Sequence, residues 1–116
     1  MLSIIIQILL GLGFTMFGLS KFTSKDMIEG FKGYGYPAWF RMFTGAVELL
    51  AAVLLIVGIW NELVAAIGGL FVVGVMVGAV LTHIKIKDEF KNMVMPIILL
   101  ILGGIVLSLN AGSLIG

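Results

Sequence analysis

At 116 residues the chain is the size of one domain, read as a single unit over 1–116. Hydrophobic residues make up 61% of it and charged residues 11%, against the roughly 25% charged that a soluble domain uses to face water. A mean hydropathy of +1.25 therefore requires lipid around most of its surface. A net charge of +1 without a basic patch leaves no basis for nucleic-acid binding. The absence of cysteine excludes disulfides, thiol chemistry and iron–sulfur ligation by this chain, and one histidine among scattered acidic residues makes no metal cage.

The first apolar run, about Leu2 to Ser20, has no basic n-region and no small-x-small cleavage site, so it reads as a retained membrane span rather than a signal peptide. A charged loop follows, Lys21 to Pro37. Within it Thr23 or Ser24 can cap a short helix, with Asp26 three residues after Thr23 as a capping-box partner. Met27, Ile28 and Phe31 would share one face and Lys25, Glu29 and Lys32 the other, the pattern of an interfacial helix on the inner leaflet. Gly33, Gly35 and Pro37 end it, and Tyr34, Tyr36 and Trp39 sit where an aromatic belt belongs.

The second span runs from about Ala38 to Ile59. Trp60-Asn61-Glu62 is a tight turn, which makes the second and third spans antiparallel neighbours. The third span runs from about Leu63 to Leu81, a charged loop covers His83 to Met93, and the fourth span runs from about Val94 to Leu109 or Ala111. Continuous apolar runs of this length suit helices, whose backbone hydrogen bonds close internally, and not alternating barrel strands. The expected architecture is an all-α membrane protein, a bundle of four transmembrane helices with a short interfacial helix in the first loop. All seven basic residues, Lys21, Lys25, Lys32, Arg41, Lys85, Lys87 and Lys91, lie in or beside the first and third loops. The positive-inside rule then places those loops in the cytoplasm and both termini outside, in a bacterial cell membrane. Pro37 and Pro96 stand at matching places before Gly45 and Gly104, the trace of a parallel two-hairpin repeat.

Glu48 lies near the middle of the second span, where a charged side chain costs at least about 2.5–3.5 kcal/mol on insertion scales and normally faces the bundle interior. Helical spacing puts Arg41, Thr44, Gly45, Glu48, Ala51, Ala52 and Leu55 on one small, polar stripe opposite Phe43, Val47, Leu50 and Leu54. Lys21 and His83 close the first and third spans at the same end, beside Ser20 and Thr82. Read alone, each is an ordinary interfacial residue, and Glu48 alone could be a buried packing carboxyl. Together, Glu48, Lys21, His83, Arg41 and Thr44 form a candidate polar cluster in the cytoplasmic half, able to bind a ligand or handle protons. Gly74 and Gly78 form a GxxxG pair, Gly11, Thr15 and Gly18 line the first span, and Gly104 with Ser108 lines the fourth, all read as close-packing surfaces.

The stretches GFTMFGLSKF (Gly13 to Phe22), GYPAWFRMFTGAVELLAAVLLIVGI (Gly35 to Ile59) and GVMVGAVLTHI (Gly74 to Ile84) resemble the DoxX / DoxX-like family of small four-helix bacterial membrane proteins. The matching positions are Gly18 and Lys21, Gly35 and Pro37, Gly45 and Glu48, Gly58, and His83. The early arginine of many members is missing, with Leu2-Ser3-Ile4 in that region. The resemblance implies a redox-associated role: some relatives look like subunits of quinone-linked oxidoreductases, including thiosulfate:quinone oxidoreductase. With the inward polar cluster, this makes a quinone or other small molecule the expected ligand, Glu48 and His83 hydrogen-bonding its head group and handling protons while Lys21 and Arg41 fix their ionisation. The chain has no intrinsic cofactor motif and no catalytic motif of its own, so an enzymatic role would be that of a subunit. Beyond the bilayer, the candidate partners are an oxidoreductase subunit and a second copy of the chain. Two other readings stand beside this one. A small proton-coupled transporter is one, although small multidrug exporters carry their glutamate in the first helix. A non-catalytic scaffold or assembly factor is the other.

Overall fold

A computed structural model describes residues 1–112, which fold as five α-helices and one 3-10 turn with no strand among them. The helices are α1 (Leu2–Thr23), α2 (Lys25–Gly33), α3 (Ala38–Val57), α4 (Glu62–Lys85) and α5 (Val94–Asn110), and the 3-10 turn covers Phe90–Asn92. The C-terminal end, expected outside the cell like the N-terminus, lies beyond the described residues. α1, α3 and α4 are long and apolar enough to cross a membrane. α5 is as apolar but has 17 residues, about 25 Å of helix against a hydrocarbon core of about 30 Å.

α1 continues three residues past its expected end, and Thr23 donates its hydroxyl to Leu19 O instead of capping the next helix. That cap is Ser24, whose Oγ accepts from Met27 N. α2 is amphipathic as expected, but its apolar face turns to the bundle: Phe31 is buried and Met27 and Ile28 are half-buried, while Lys25, Glu29 and Lys32 are exposed. α2 ends in a Schellman turn. Gly35 N donates to Lys32 O, Tyr36 N donates to Phe31 O, and Gly35 sits at φ +83, the left-handed region where a Cβ is penalised. Pro37 follows with φ −73 and leads into α3.

Asn61 caps α4, its Oδ1 accepting from Leu63 N and Val64 N. α4 runs on to Lys85, so His83 is helical rather than part of the loop. It too ends in a Schellman arrangement, with Lys87 N on Ile84 O and Asp88 N on His83 O, but the left-handed position is held by Lys87 at φ 55.

The four long helices form a ring in the order α1, α3, α4, α5, with α5 closing on α1. Ile6, Leu10 and Phe14 of α1, Ala51, Ala52 and Leu55 of α3, Val72 and Met76 of α4 and Val106 of α5 make the core. Small residues set the approaches. α1 and α3 meet at Gly18 and Gly45, where a Cβ on Gly18 would stand 2.9 Å from Gly45 O. α3 and α4 meet at their short turn, where a Cβ on Gly58 would stand 2.6 Å from the Ala65 backbone. α4 and α5 meet at Gly69 and Gly103, a Cβ on Gly69 reaching 3.0 Å from Gly103 O.

Two expectations about glycine change. Gly104, paired with Gly45 by its offset from proline, has open space around it, and the packing glycine of α5 is its neighbour Gly103. One residue is 100° of helix, so an offset read along the sequence missed the contacting face. Gly74 and Gly78 make no close helix contact either, because nothing lies within 4 Å of a Cβ at either position. They line a cavity instead.

Candidate functional site

The cavity, about 910 Å³, occupies the basic end of the bundle among α1, α2, α3, α4 and α5. Its walls are mainly aromatic and aliphatic, and its polar groups include Lys21, Thr44, Glu48, Tyr34, Tyr36, Thr82, His83 and Lys85.

Glu48 is 1% exposed. Its Oε1 lies 2.6 Å from Lys21 Nζ, with the lysine side chain 12% exposed. The glycine contact between α1 and α3 positions this pair. α1 and α3 run antiparallel, so Lys21, three residues beyond Gly18, and Glu48, three beyond Gly45, lie about one turn to either side of the crossing, and the lysine side chain spans it. The Lys21 stem passes directly over Gly45, where an added Cβ would come 3.0 Å from Lys21 Cβ. The other carboxylate oxygen, Glu48 Oε2, is buried and has no hydrogen-bond partner among the described residues. An acceptor withdrawn from water without a donor is costly, and here it belongs to a side chain on the cavity wall.

The expected cluster assembles only in part. Lys21 and Glu48 meet. Thr44 is on the wall, its hydroxyl donating to Phe40 O at 2.9 Å. His83 is also on the wall, but its Nδ1 is hydrogen-bonded to Asp88 Oδ2 at 2.8 Å. This pairing follows from how α4 terminates: the Schellman turn lays Asp88 over the His83 turn, the place where an apolar contact is usual. Arg41 is not on the wall. Its guanidinium donates to the backbone carbonyl of Lys21, satisfying a last-turn acceptor that α1 leaves free. Seven residues before Glu48, or about 10 Å along the helix, Arg41 is level with the end of α1 and not with the carboxylate.

Other features of the site were missed by sequence reasoning. Tyr34 and Tyr36, read as belt residues, form an aromatic wall with Phe31 and Phe40, with ring centroids 4.9–6.0 Å apart in successive pairs. Trp39 alone of the three belt candidates points outward, at 66% exposure. Thr82 Oγ1 donates to Gly78 O, so the Tyr36 hydroxyl donates to Thr82 Oγ1 across 3.0 Å. Lys85 Nζ donates to Tyr34 O at 3.3 Å and lies 4.6 Å from the centre of the Tyr36 ring. These contacts tie the end of α4 to the turn after α2 and roof the cavity. The available signal was the Gly35-Tyr36-Pro37 turn, which fixes where both tyrosines point.

A second polar group lies at the opposite end. Ser3 Oγ donates to Gln7 Oε1, Gln7 Nε2 donates to Leu55 O, and Asn110 Nδ2 donates to Ser3 Oγ and Val106 O. Gln7 is 1% exposed with both ends of its amide bonded. This network braces α1, α3 and α5. Among the described residues no group of three or more histidine, aspartate or glutamate side chains could hold a metal ion.

An all-helical chain with three helices long and apolar enough to cross a membrane falls in the class of small helical membrane proteins. The sequence pattern of the DoxX-like family matches residues 5–106, and the chain belongs to that family. It is similar to the uncharacterized protein YdgD of Bacillus subtilis (strain 168), with 32% identity over 84 residues, covering 72% of this chain and 74% of that protein. No solved structure matches the chain.

Proposed function

We propose that this chain is a membrane-embedded binding subunit of a quinone-linked redox system, holding a quinone-type head group against Lys21 and Glu48. In this reading α5 is a fourth span, the basic end faces the bacterial cytoplasm and α2 lies at that surface. The observation that carries the proposal is Glu48, a wall residue of a largely apolar cavity whose buried Oε2 has no hydrogen-bond partner among the described residues. A volume of about 910 Å³ is that of a small-molecule site, for which about 300–1,000 Å³ is usual.

The residues present fit such a group. Lys21 offers ammonium hydrogens not used on Glu48, suited to a carbonyl oxygen. Glu48 Oε2 is an acceptor, suited to a hydroxyl hydrogen. The pair therefore offers a partner to either redox form of a head group, and the aromatic wall offers ring faces to stack on. When bound, the quinone supplies two-electron redox chemistry, with electrons exchanged with a partner oxidoreductase. The same pair argues against an organic cation as substrate, because Lys21 already neutralises Glu48 and Lys85 already occupies the face of Tyr36.

The test is titration of purified protein with a decyl-tailed benzoquinol, followed by calorimetry. Wild-type protein binds, and Glu48→Gln, which replaces the lone acceptor by an amide of the same shape, weakens binding at least about tenfold. No binding by the wild type, or equal binding by the variant, refutes the proposal.

A further inference from the structure

The cavity has a side opening. Phe43, Leu70 and Leu81 line it and are also 57%, 50% and 60% exposed. Gly74 and Gly78, between them on α4, are exposed lining residues with nothing within 4 Å of a Cβ. The two helices that frame this gap are tight at their other end. A Cβ on Gly58 would stand 2.6 Å from Ala65 backbone atoms, and one on Gly68 would stand 3.1 Å from Leu55 N. α3 and α4 thus touch near their connecting turn and part toward the basic end.

The end of the cavity is treated differently. There α2 lays Phe31 inward, and Tyr34 and Tyr36 are tied to α4 through Thr82 and Lys85. Aromatic rings and hydrogen bonds cross that end, whereas the flank between α3 and α4 is lined by a glycine pair and exposed apolar side chains. Behind that flank lies Glu48, 1% exposed and with one oxygen unpartnered.

Resting on the function proposed above, we infer that the cavity is loaded sideways from the bilayer. A tailed, hydroxyl-bearing aromatic lipid passes its head between α3 and α4 to Glu48, and its tail stays in the gap over Gly74 and Gly78. Glycine at these two positions keeps the passage open. Any side chain there would project into it, because no neighbouring atom confines it.

Two readouts test this. Gly78→Cys, carrying a nitroxide in lipid nanodiscs, reports what reaches the gap, against a chain without other cysteines. Oxygen, which concentrates in lipid, is expected to relax the label far more than a water-soluble nickel chelate. Dominant relaxation by the chelate overturns the inference, because the gap is then open to water. Shielding from both also overturns it, because protein then covers the gap. The second readout is Gly78→Phe, with Gly74→Leu as an independent plug. Both are expected to keep the wild-type melting temperature and to weaken a decyl-tailed benzoquinol at least about tenfold. A tail-less tetramethylbenzoquinol is expected to change less than about twofold. Equal effects on both ligands, or none on either, refute the tail's placement. The nitroxide measurement needs no ligand, so failure of the opening and failure of quinol binding are told apart.

Discussion

At the residue scale, Lys21 and Glu48 bear on both stability and function, and substitution separates the two. Lys21→Met leaves a carboxylate buried without its cation, a change expected to cost about 3 kcal/mol or more. The double change Lys21→Met with Glu48→Leu removes both charges and is expected to return most of that loss, because buried ion pairs are often replaceable by apolar residues of similar size. Chemical denaturation in micelles measures the cycle. If the pair only braces α1 against α3, the double variant still binds quinol. If the pair is the site, the double variant recovers that stability and binds none. Glu48 itself was legible as an inward carboxylate, because charge at membrane depth has few other places to go. The error concerned Arg41: sharing a helical stripe with Glu48 says nothing about height along the axis, and the height decided its partner.

At the element scale, two helix ends are finished by side chains from a neighbour. Arg41 of α3 caps the Lys21 carbonyl of α1, and Gln7 of α1 caps the Leu55 carbonyl of α3. In lipid an unsatisfied carbonyl has no water to turn to, so these reciprocal caps explain two buried or half-buried polar residues without invoking a ligand. The end of α4 is finished differently. Hydrogen bonds from Asn92, His83 and the Glu89 backbone hold the Asp88 carboxyl below the usual carboxylate range. A carboxyl lowered on folding contributes stability that is complete above its unfolded pKa, about 3.9, and is lost as the pH falls through the lower folded value. Hydrogen exchange across residues 83–93 is therefore expected to rise on acidification below about pH 4. In Asp88→Asn that acid-dependent rise is expected to disappear, with exchange already raised at neutral pH. Persistence of the same acid response in the variant assigns it to another group.

At the scale of the whole molecule, exposed Leu, Ile, Val and Phe side chains surround α1, α3, α4 and α5, as lipid contact requires and water forbids. The distribution of basic residues carries the orientation proposed here. It predicts that Trp60→Cys, in the short turn between α3 and α4, reacts with an impermeant maleimide from outside intact cells. Glu29→Cys, on the exposed face of α2, is expected to react only after the membrane is opened. The reverse pattern overturns the orientation and moves the cavity to the outer leaflet. The helical segments, the tight α3–α4 turn and the inward face of α3 were all legible in the sequence. They rest on local rules of apolar length, capping and helical period. The cover of α2 was not legible: its amphipathic pattern shows that one face is covered and not whether lipid or protein covers it, and in the fold Phe31 of that face is buried in the bundle.

By itself, the sequence determined that this protein is helical, needs lipid, places its basic residues at one end and buries a carboxylate near mid-helix. These follow from quantities summed along the chain, chiefly hydropathy, charge and period. Only the tertiary structure decided which polar groups meet. Gly18 and Gly45 set Lys21 against Glu48, the left-handed turn at Lys87 gave His83 its aspartate, and the parting of α3 from α4 turned a GxxxG pair into the wall of a cavity. Each of those outcomes depends on the rotation and height of one helix relative to another, and these are fixed by packing between segments far apart in the chain.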